Sequence, residues 1–176
     1  MPPKSHEERM LAVSLRSRRF GYAVFEGSSR LLDWGILYYP MSNRAQRVAA
    51  SKRVTSLFTL LAPSMVVVQP VRRQNGGNKS DADSIIRMIK HEASIRTIPV
   101  RAMKKAEVKN VFRRFGATSK HEIASGLTEV FPELVWQLPP KRKIWETEHF
   151  RMVIFDAVAL GFAHWIRYSE RDPTAE

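Results

Sequence analysis

The chain contains no cysteine, which excludes disulfide bridges and thiolate-ligated metal sites and suits a reducing compartment. It also lacks any apolar stretch long enough to cross a bilayer: the longest, Val153 to Ala163, is interrupted by Asp156. The opening residues MPPKSHEER are polar and charged, with no apolar segment of signal-peptide type behind them. A soluble, cytoplasmic protein with no membrane partner is therefore expected. Internal repeats and low-complexity segments are absent as well. Acidic residues are scarce, with 17 Asp and Glu against 29 Lys and Arg, a formal net charge of +12.

What is present is enough for one domain. At 176 residues and 44% hydrophobic, the chain can bury a sizeable core and is too short for two ordinary domains. The expected limits are 10–168, with flexible tails at 1–9 and 169–176. The positive charge is uneven: residues 1–120 carry 23 Lys and Arg against 8 Asp and Glu, whereas 121–176 carry 6 against 9. Such an excess suits a basic surface facing a polyanion, because neutralising phosphates releases counterions. The plainer alternative is solubilising surface charge.

Leu11–Leu15, Phe20–Phe25 and Leu31–Tyr39 read as three strands joined by breaks of hairpin length. After Pro40, Ser42 or Asn43 can cap a helix to about Ala62, with Ala50, Val54, Leu57, Phe58 and Leu61 inward and Pro63 closing it. Met65–Val71 is nearly all apolar, as in a parallel strand buried on both faces, with Gln69 its polar exception. The loop Arg72, Arg73 to Lys79 is basic and glycine-bearing; its arginines and backbone amides suit phosphate, against the plainer reading of an exposed loop. Ser80 and Asp83 fit a capping box for a helix with Ala82, Ile85, Ile86, Ile89 and Ala93 on one face. Asp81 and Asp83 are most simply helix-terminus carboxylates.

Ile95–Val100 is expected as a strand. A helix over Lys104–Phe115 would turn Val108, Val111, Phe112 and Phe115 inward and end at Gly116. Ser119 and Glu122 form a capping box for a helix with Ile123, Leu127, Val130 and Phe131 inward, stopped by Pro132. Pro139–Lys143 is a stiff basic connector, and Thr147 is expected to cap a last helix to about Tyr168. An antiparallel opening followed by crossovers predicts an α/β mixed sheet with helices on both faces and the first and fourth strands adjacent.

Around Asp156 the sequence VIFDAVALGFA is apolar on nearly every side. A carboxylate buried there is costly unless it is paired, hydrogen-bonded, metal-bound or facing a cleft. It is a candidate functional residue, and pairing with a basic side chain is the structural alternative. On the expected helix, His149, Val153 and Asp156 fall at i, i+4 and i+7, so the histidine and aspartate share a face.

These features together resemble one family. Gly21-Tyr22-Ala23-Val24 on the second strand, Pro63 before an apolar fourth strand, Lys109, the Gly116-Ala117-Thr118-Ser119-Lys120 loop and the final FDAVALGFAHW helix resemble the RuvC-type Holliday junction resolvases of the RNase H-like superfamily, over about residues 11–166. The resemblance implies an RNase H-like fold and a dimer. It also implies four acids holding two magnesium ions for phosphodiester hydrolysis. At the matching positions stand Ser14 for the first-strand aspartate, Gln69 for the fourth-strand glutamate and Val153 for one last-helix aspartate; Asp156 alone is retained.

Two divalent ions need carboxylates to offset their charge and fix their geometry, and Ser14 and Gln69 offer only neutral oxygens. The expectation is a nucleic-acid-binding protein without ordinary two-metal cleavage and without a cofactor. Its partner would be branched or structured nucleic acid, DNA ahead of RNA, held by Arg16, Arg18, Arg19, Arg72, Arg73, Lys79, Lys109 and Lys120. Two alternatives stand beside it. One is a magnesium- or manganese-dependent endonuclease built on Asp156 with His149 as a further ligand. Glu148, Asp33, Asp81 or Asp83 could join that site only if the fold delivered them, which the strand assignment gives no reason to expect. The other is a scaffold subunit using Trp34, Trp136, Trp145 or Trp165, which more simply belong to the core.

Overall fold

The structure, a computed structural model, describes residues 8–16, 18–28, 30–70 and 81–171. Strands β1 (Arg9–Arg16), β2 (Arg19–Glu26) and β3 (Arg30–Tyr38) form the antiparallel opening. Helix α1 (Arg44–Leu61) starts at Asn43, whose side chain accepts from the Gln46 N–H at 2.9 Å, and ends at Ala62 in a left-handed conformation just before Pro63. Strand β4 (Met65–Val68) runs parallel to β1. Helix α2 (Asp81–Ile95) leads to β5 (Val100–Ala102), which is parallel to β4. Helices α3 (Lys105–Arg113) and α4 (Lys120–Val130), a 3-10 helix (Pro132–Gln137) and α5 (Met152–Arg171) complete the order. The strands lie in the order β3-β2-β1-β4-β5, so the first and fourth are neighbours as expected.

Two-residue alternation divides the sheet between two cores. Leu11, Val13, Val66 and Val68 pack with Val54 and Phe58 of α1 and Ile85 and Ile89 of α2. Met10, Ala12 and Val67 pack on the other face with Phe112, Leu127, Phe155 and Val158 of α3, α4 and α5. Ser14 and Arg16 fall on this second face by the same alternation. A buried acid on the first side, Glu92, is satisfied by Thr55 Oγ1 at 2.7 Å and Arg96 Nε at 3.3 Å, which ties α1 to α2.

The sheet's closest helix contact is at Gly21, the cross-strand partner of Ser14. A β-carbon there would lie 2.1 Å from the Val153 carbonyl oxygen, so only glycine lets the α5 backbone rest on β2. Gly116, at φ +84°, closes α3 in the left-handed conformation, where the Ala117 N–H bonds the Phe112 carbonyl at 3.1 Å.

Several boundaries differ from expectation. Ile95 ends α2 and is exposed; Thr97 takes φ +58°, the Ile98 N–H caps the Ala93 carbonyl at 2.8 Å, and Pro99 has no N–H to pair, so β5 begins only at Val100. β4 stops at Val68, and Gln69 follows it. Phe115 and Val130 are exposed, since each lies at a helix end where the neighbouring face has already turned away from the core. Thr147 does not cap the last helix. Its first turn is closed by bonds from Met152, Val153 and Ile154 to the His149, Phe150 and Arg151 carbonyls, so α5 starts at Met152. β1 and α5 also extend beyond the limits expected at 10 and 168. Ser80, the expected α2 cap, lies outside the described residues.

Gly21→Ala is expected to cost about 1–3 kcal/mol or more, since backbone must move to relieve the overlap. Gly126, in α4 with open space around its α-carbon, should respond oppositely, Gly126→Ala gaining roughly 0.5–1 kcal/mol. Urea unfolding of the two variants checks the contrast.

Candidate functional site

Seating α5 on β2 brings Asp156 over the end of β1. Its Oδ2 accepts from Arg16 Nη2 at 2.5 Å and from Lys120 Nζ at 3.3 Å. The same two cations reach Glu148, Nη2 of Arg16 at 2.9 Å and Nζ of Lys120 at 2.7 Å. The result is a closed group of two carboxylates and two cations contributed by β1, the start of α4, the loop before α5 and α5 itself. Asp156 keeps 18% of its side chain exposed, so its desolvation is partial and its neutralisation comes from within the chain.

The surroundings hold these groups in place. Burial opposes the Arg16 charge, yet Asp156 and then Glu148 outweigh it and hold the guanidinium above its ordinary range. Burial raises Glu148, but Lys120, Arg16 and Arg142 more than offset it and hold that carboxyl below the usual range. At the base of Arg16, the Tyr39 hydroxyl donates to the Arg16 carbonyl and the Tyr39 N–H to the Arg18 carbonyl at 3.0 Å. Burial, with Asp81 adding, pushes the Tyr39 phenol well above its ordinary pKa, so it stays a donor. Ser119 Oγ accepts from the Glu122 N–H at 3.2 Å while the Glu122 carboxylate accepts from the Ser119 N–H at 3.0 Å. This is the expected capping box, and it fixes Lys120 at the first position of α4.

The group opens into a cleft of about 580 Å³ lined by Arg16, Gln69, Lys104, Lys105, Lys109 and Lys120, with Asp156 the only acidic lining residue among the described residues and Ile123, Met152 and Phe155 as apolar wall. Burial, then the charges of Lys120 and Arg16, push the Lys105 ammonium below the ordinary lysine range; Asp156 opposes this and Lys109 adds to it. The cleft is thus under-neutralised and suited to an anion.

Of the residues singled out in the sequence, Arg16, Gln69, Lys109, Lys120 and Asp156 meet here. Ser14 is buried beneath, beside the Gly21 contact, and Val153 is buried with its backbone on the sheet. Arg18 is exposed in the first turn, and Arg19 is half-buried with its Nε lacking a hydrogen-bond partner among the described residues. His149 is not on the Asp156 helix face: it precedes α5, its Nδ1 accepts from the Arg151 N–H at 3.2 Å, and its ring stacks on Phe150. Arg72, Arg73 and Lys79 lie outside the described residues. Of the acids that could have joined the site, Glu148 is brought to Arg16 and Lys120; Lys104, Lys105 and Tyr39 are additions. The signal for the lysines was a helix start with Lys104-Lys105 and no Asp or Ser cap, which sets cations against the helix dipole.

The fold is that of the RNase H-like resolvases. The chain is similar to Thermus thermophilus RuvC in complex with a Holliday junction substrate, at 17% identity and TM-score 0.67 over 96% of this chain and 98% of that one. It is similar also to the fowlpox virus resolvase in complex with Holliday junction DNA (14%, 0.52, 91% and 98%) and to the yeast mitochondrial Holliday junction resolvase (13%, 0.50, 97% and 84%). No family model matches the chain. No curated protein matches it either.

The magnesium pair implied by the family resemblance does not fit this donor set. Both carboxylates are already bonded to Arg16 and Lys120, Gln69 is neutral and Ser14 is buried. Among the described residues no three His, Asp or Glu side chains converge as metal ligands.

Lys120→Met should let the Glu148 pKa rise and cost about 1–2 kcal/mol near neutral pH, between the values for exposed and buried pairs. Glu148 is depressed in the folded state, so its contribution is complete above the ordinary carboxylate range and disappears as pH falls through its folded pKa. The variant's deficit should therefore shrink on acidification. Urea unfolding at neutral and acid pH tests this; an equal deficit at both would refute it.

Proposed function

We propose that this chain is a RuvC-like nucleic-acid-binding protein that docks branched or structured DNA through the basic cleft and does not cleave by the two-metal route. One observation carries the reading: five cations, Arg16, Lys104, Lys105, Lys109 and Lys120, line a cleft in which Asp156 is the only acidic lining residue among the described residues. Loss of acids removes repulsion toward phosphate, and the remaining pair, Asp156 and Glu148, is neutralised by Arg16 and Lys120. The similar resolvase structures contain Holliday junction DNA, which supports branched DNA as the substrate class. Arg18 and Arg19 of the first turn are assigned to the same DNA contact, and Arg72, Arg73 and Lys79, outside the described residues, are assigned to it on their basic, glycine-bearing sequence alone. The working unit is the single RuvC-like domain, whose described elements run from Arg9 to Arg171, acting in the cytoplasm as a homodimer. Among the described residues no helix is long and apolar enough to cross a membrane.

Glu148 favours a second reading. It sits against the same cations as Asp156, so two carboxylates are available to a magnesium- or manganese-dependent endonuclease if Arg16 and Lys120 are displaced.

Affinity for a four-way junction should fall linearly with salt on logarithmic axes, and Lys105→Ala and Lys109→Ala should each reduce that slope by about one. A flat salt response would refute phosphate docking. Incubation of the same junction with magnesium or manganese should leave it intact. Cleavage that disappears in Asp156→Asn would establish the second reading instead.

A further inference from the structure

The segment from the 3-10 helix to the start of α5 buries Leu134 but leaves several large apolar side chains in water. Trp136 is 87% exposed, Trp145 79%, and Ile144 and Phe150 are exposed beside them in sequence. The other two tryptophans behave as core expectations require: Trp165 is buried and Trp34 packs against the core.

Cations attend the exposed rings. The Lys143 ammonium lies 5.6 Å from the centre of the Trp145 ring, and the Arg151 guanidinium 5.7 Å from that of Phe150. Arg151 also donates to the Trp136 carbonyl at 3.4 Å, tying the 3-10 helix to the start of α5. Two acids of the segment are engaged: Glu146 accepts from the Lys143 N–H at 2.9 Å, and Glu148 belongs to the charge group of the cleft. Glu148, three residues after Trp145, bonds Arg16 and Lys120, both of which line the cleft, so this basic, aromatic segment adjoins it.

We propose that Trp136 and Trp145 are stacking surfaces for unpaired bases of a nucleic acid whose phosphates occupy the adjoining cleft. The proposal rests on the docking function above and specifies its substrate as one with unpaired bases. Every base presents a flat π-face, and sequence-tolerant binding of single strands combines such stacking with a cationic track. A protein partner is disfavoured by the same chemistry, because lysine is depleted from protein interface cores, whereas here Lys143 lies against Trp145 itself.

Fluorescence anisotropy would compare a blunt duplex with the same duplex carrying a single-stranded arm. Wild type should bind the armed duplex more tightly, and the Trp136→Ala/Trp145→Ala variant should lose about tenfold or more on that probe alone. Its duplex affinity and salt slope should be unchanged. Trp136→Phe/Trp145→Phe should recover most of the loss, and thermal melts should coincide because both side chains are exposed. No loss on the armed probe, or an equal loss on both probes, would overturn stacking while leaving phosphate docking intact. Loss of self-association in sedimentation with nucleic-acid binding untouched would overturn it as well. If wild type bound neither probe, the docking function would fall and the stacking proposal with it.

Discussion

Everything at the candidate site depends on the backbone contact between α5 and β2 at Gly21. Helices usually stand off a sheet by the thickness of their side chains; here the Val153 carbonyl occupies the space where a β-carbon would be. That contact sets how deeply α5 lies on the sheet. With α5 at this depth, Asp156, one turn on, meets Arg16 at the end of β1, and the loop before the helix delivers Glu148 to the same place. The contact also leaves Ser14 covered, so that side chain belongs to the interior of the sheet and not to the lining of the cleft.

The second constraint is electrostatic. Breaking a buried ion pair by removing one partner is more costly than never having formed it, because a charge is left uncompensated. Four groups that share two cations and two carboxylates spread that cost, and each is held by a separate element. Arg16 is steadied from below by Tyr39, Lys120 by the Ser119–Glu122 cap, and Asp156 by the packing of α5. The excess positive charge of Lys104, Lys105 and Lys109 faces the cleft and not this group alone, so the paired cluster and the cationic wall of the cleft are side by side.

Local features were legible in the sequence wherever a short-range rule governed them. The three opening strands follow from alternation, α1 from Asn43, α4 from its capping box, and the adjacency of β1 and β4 from the crossover rule. Asp156 stood out because its helix was otherwise apolar. What escaped reading was set by contacts distant in sequence. Arg16 and Asp156 are 140 residues apart, and nothing near Glu148 marks it as a partner of either. The start of α5 was misplaced for the same reason, since Thr147 offers a sound local cap that the long-range placement of Glu148 and His149 overrides. Residue type alone reads Trp136 and Trp145 as core or half-buried, yet both are exposed, Trp136 on a 3-10 helix whose buried residue is Leu134.

Arg16 and Lys120 also make the site indifferent to supply. A bound metal ion is present only in proportion to its free concentration and can be withdrawn, whereas a guanidinium or ammonium on the chain is there in every folded molecule. The counter-ions of Asp156 and Glu148 are thus inherited with the fold, and chelation or ionic depletion gives the surroundings no means of removing them.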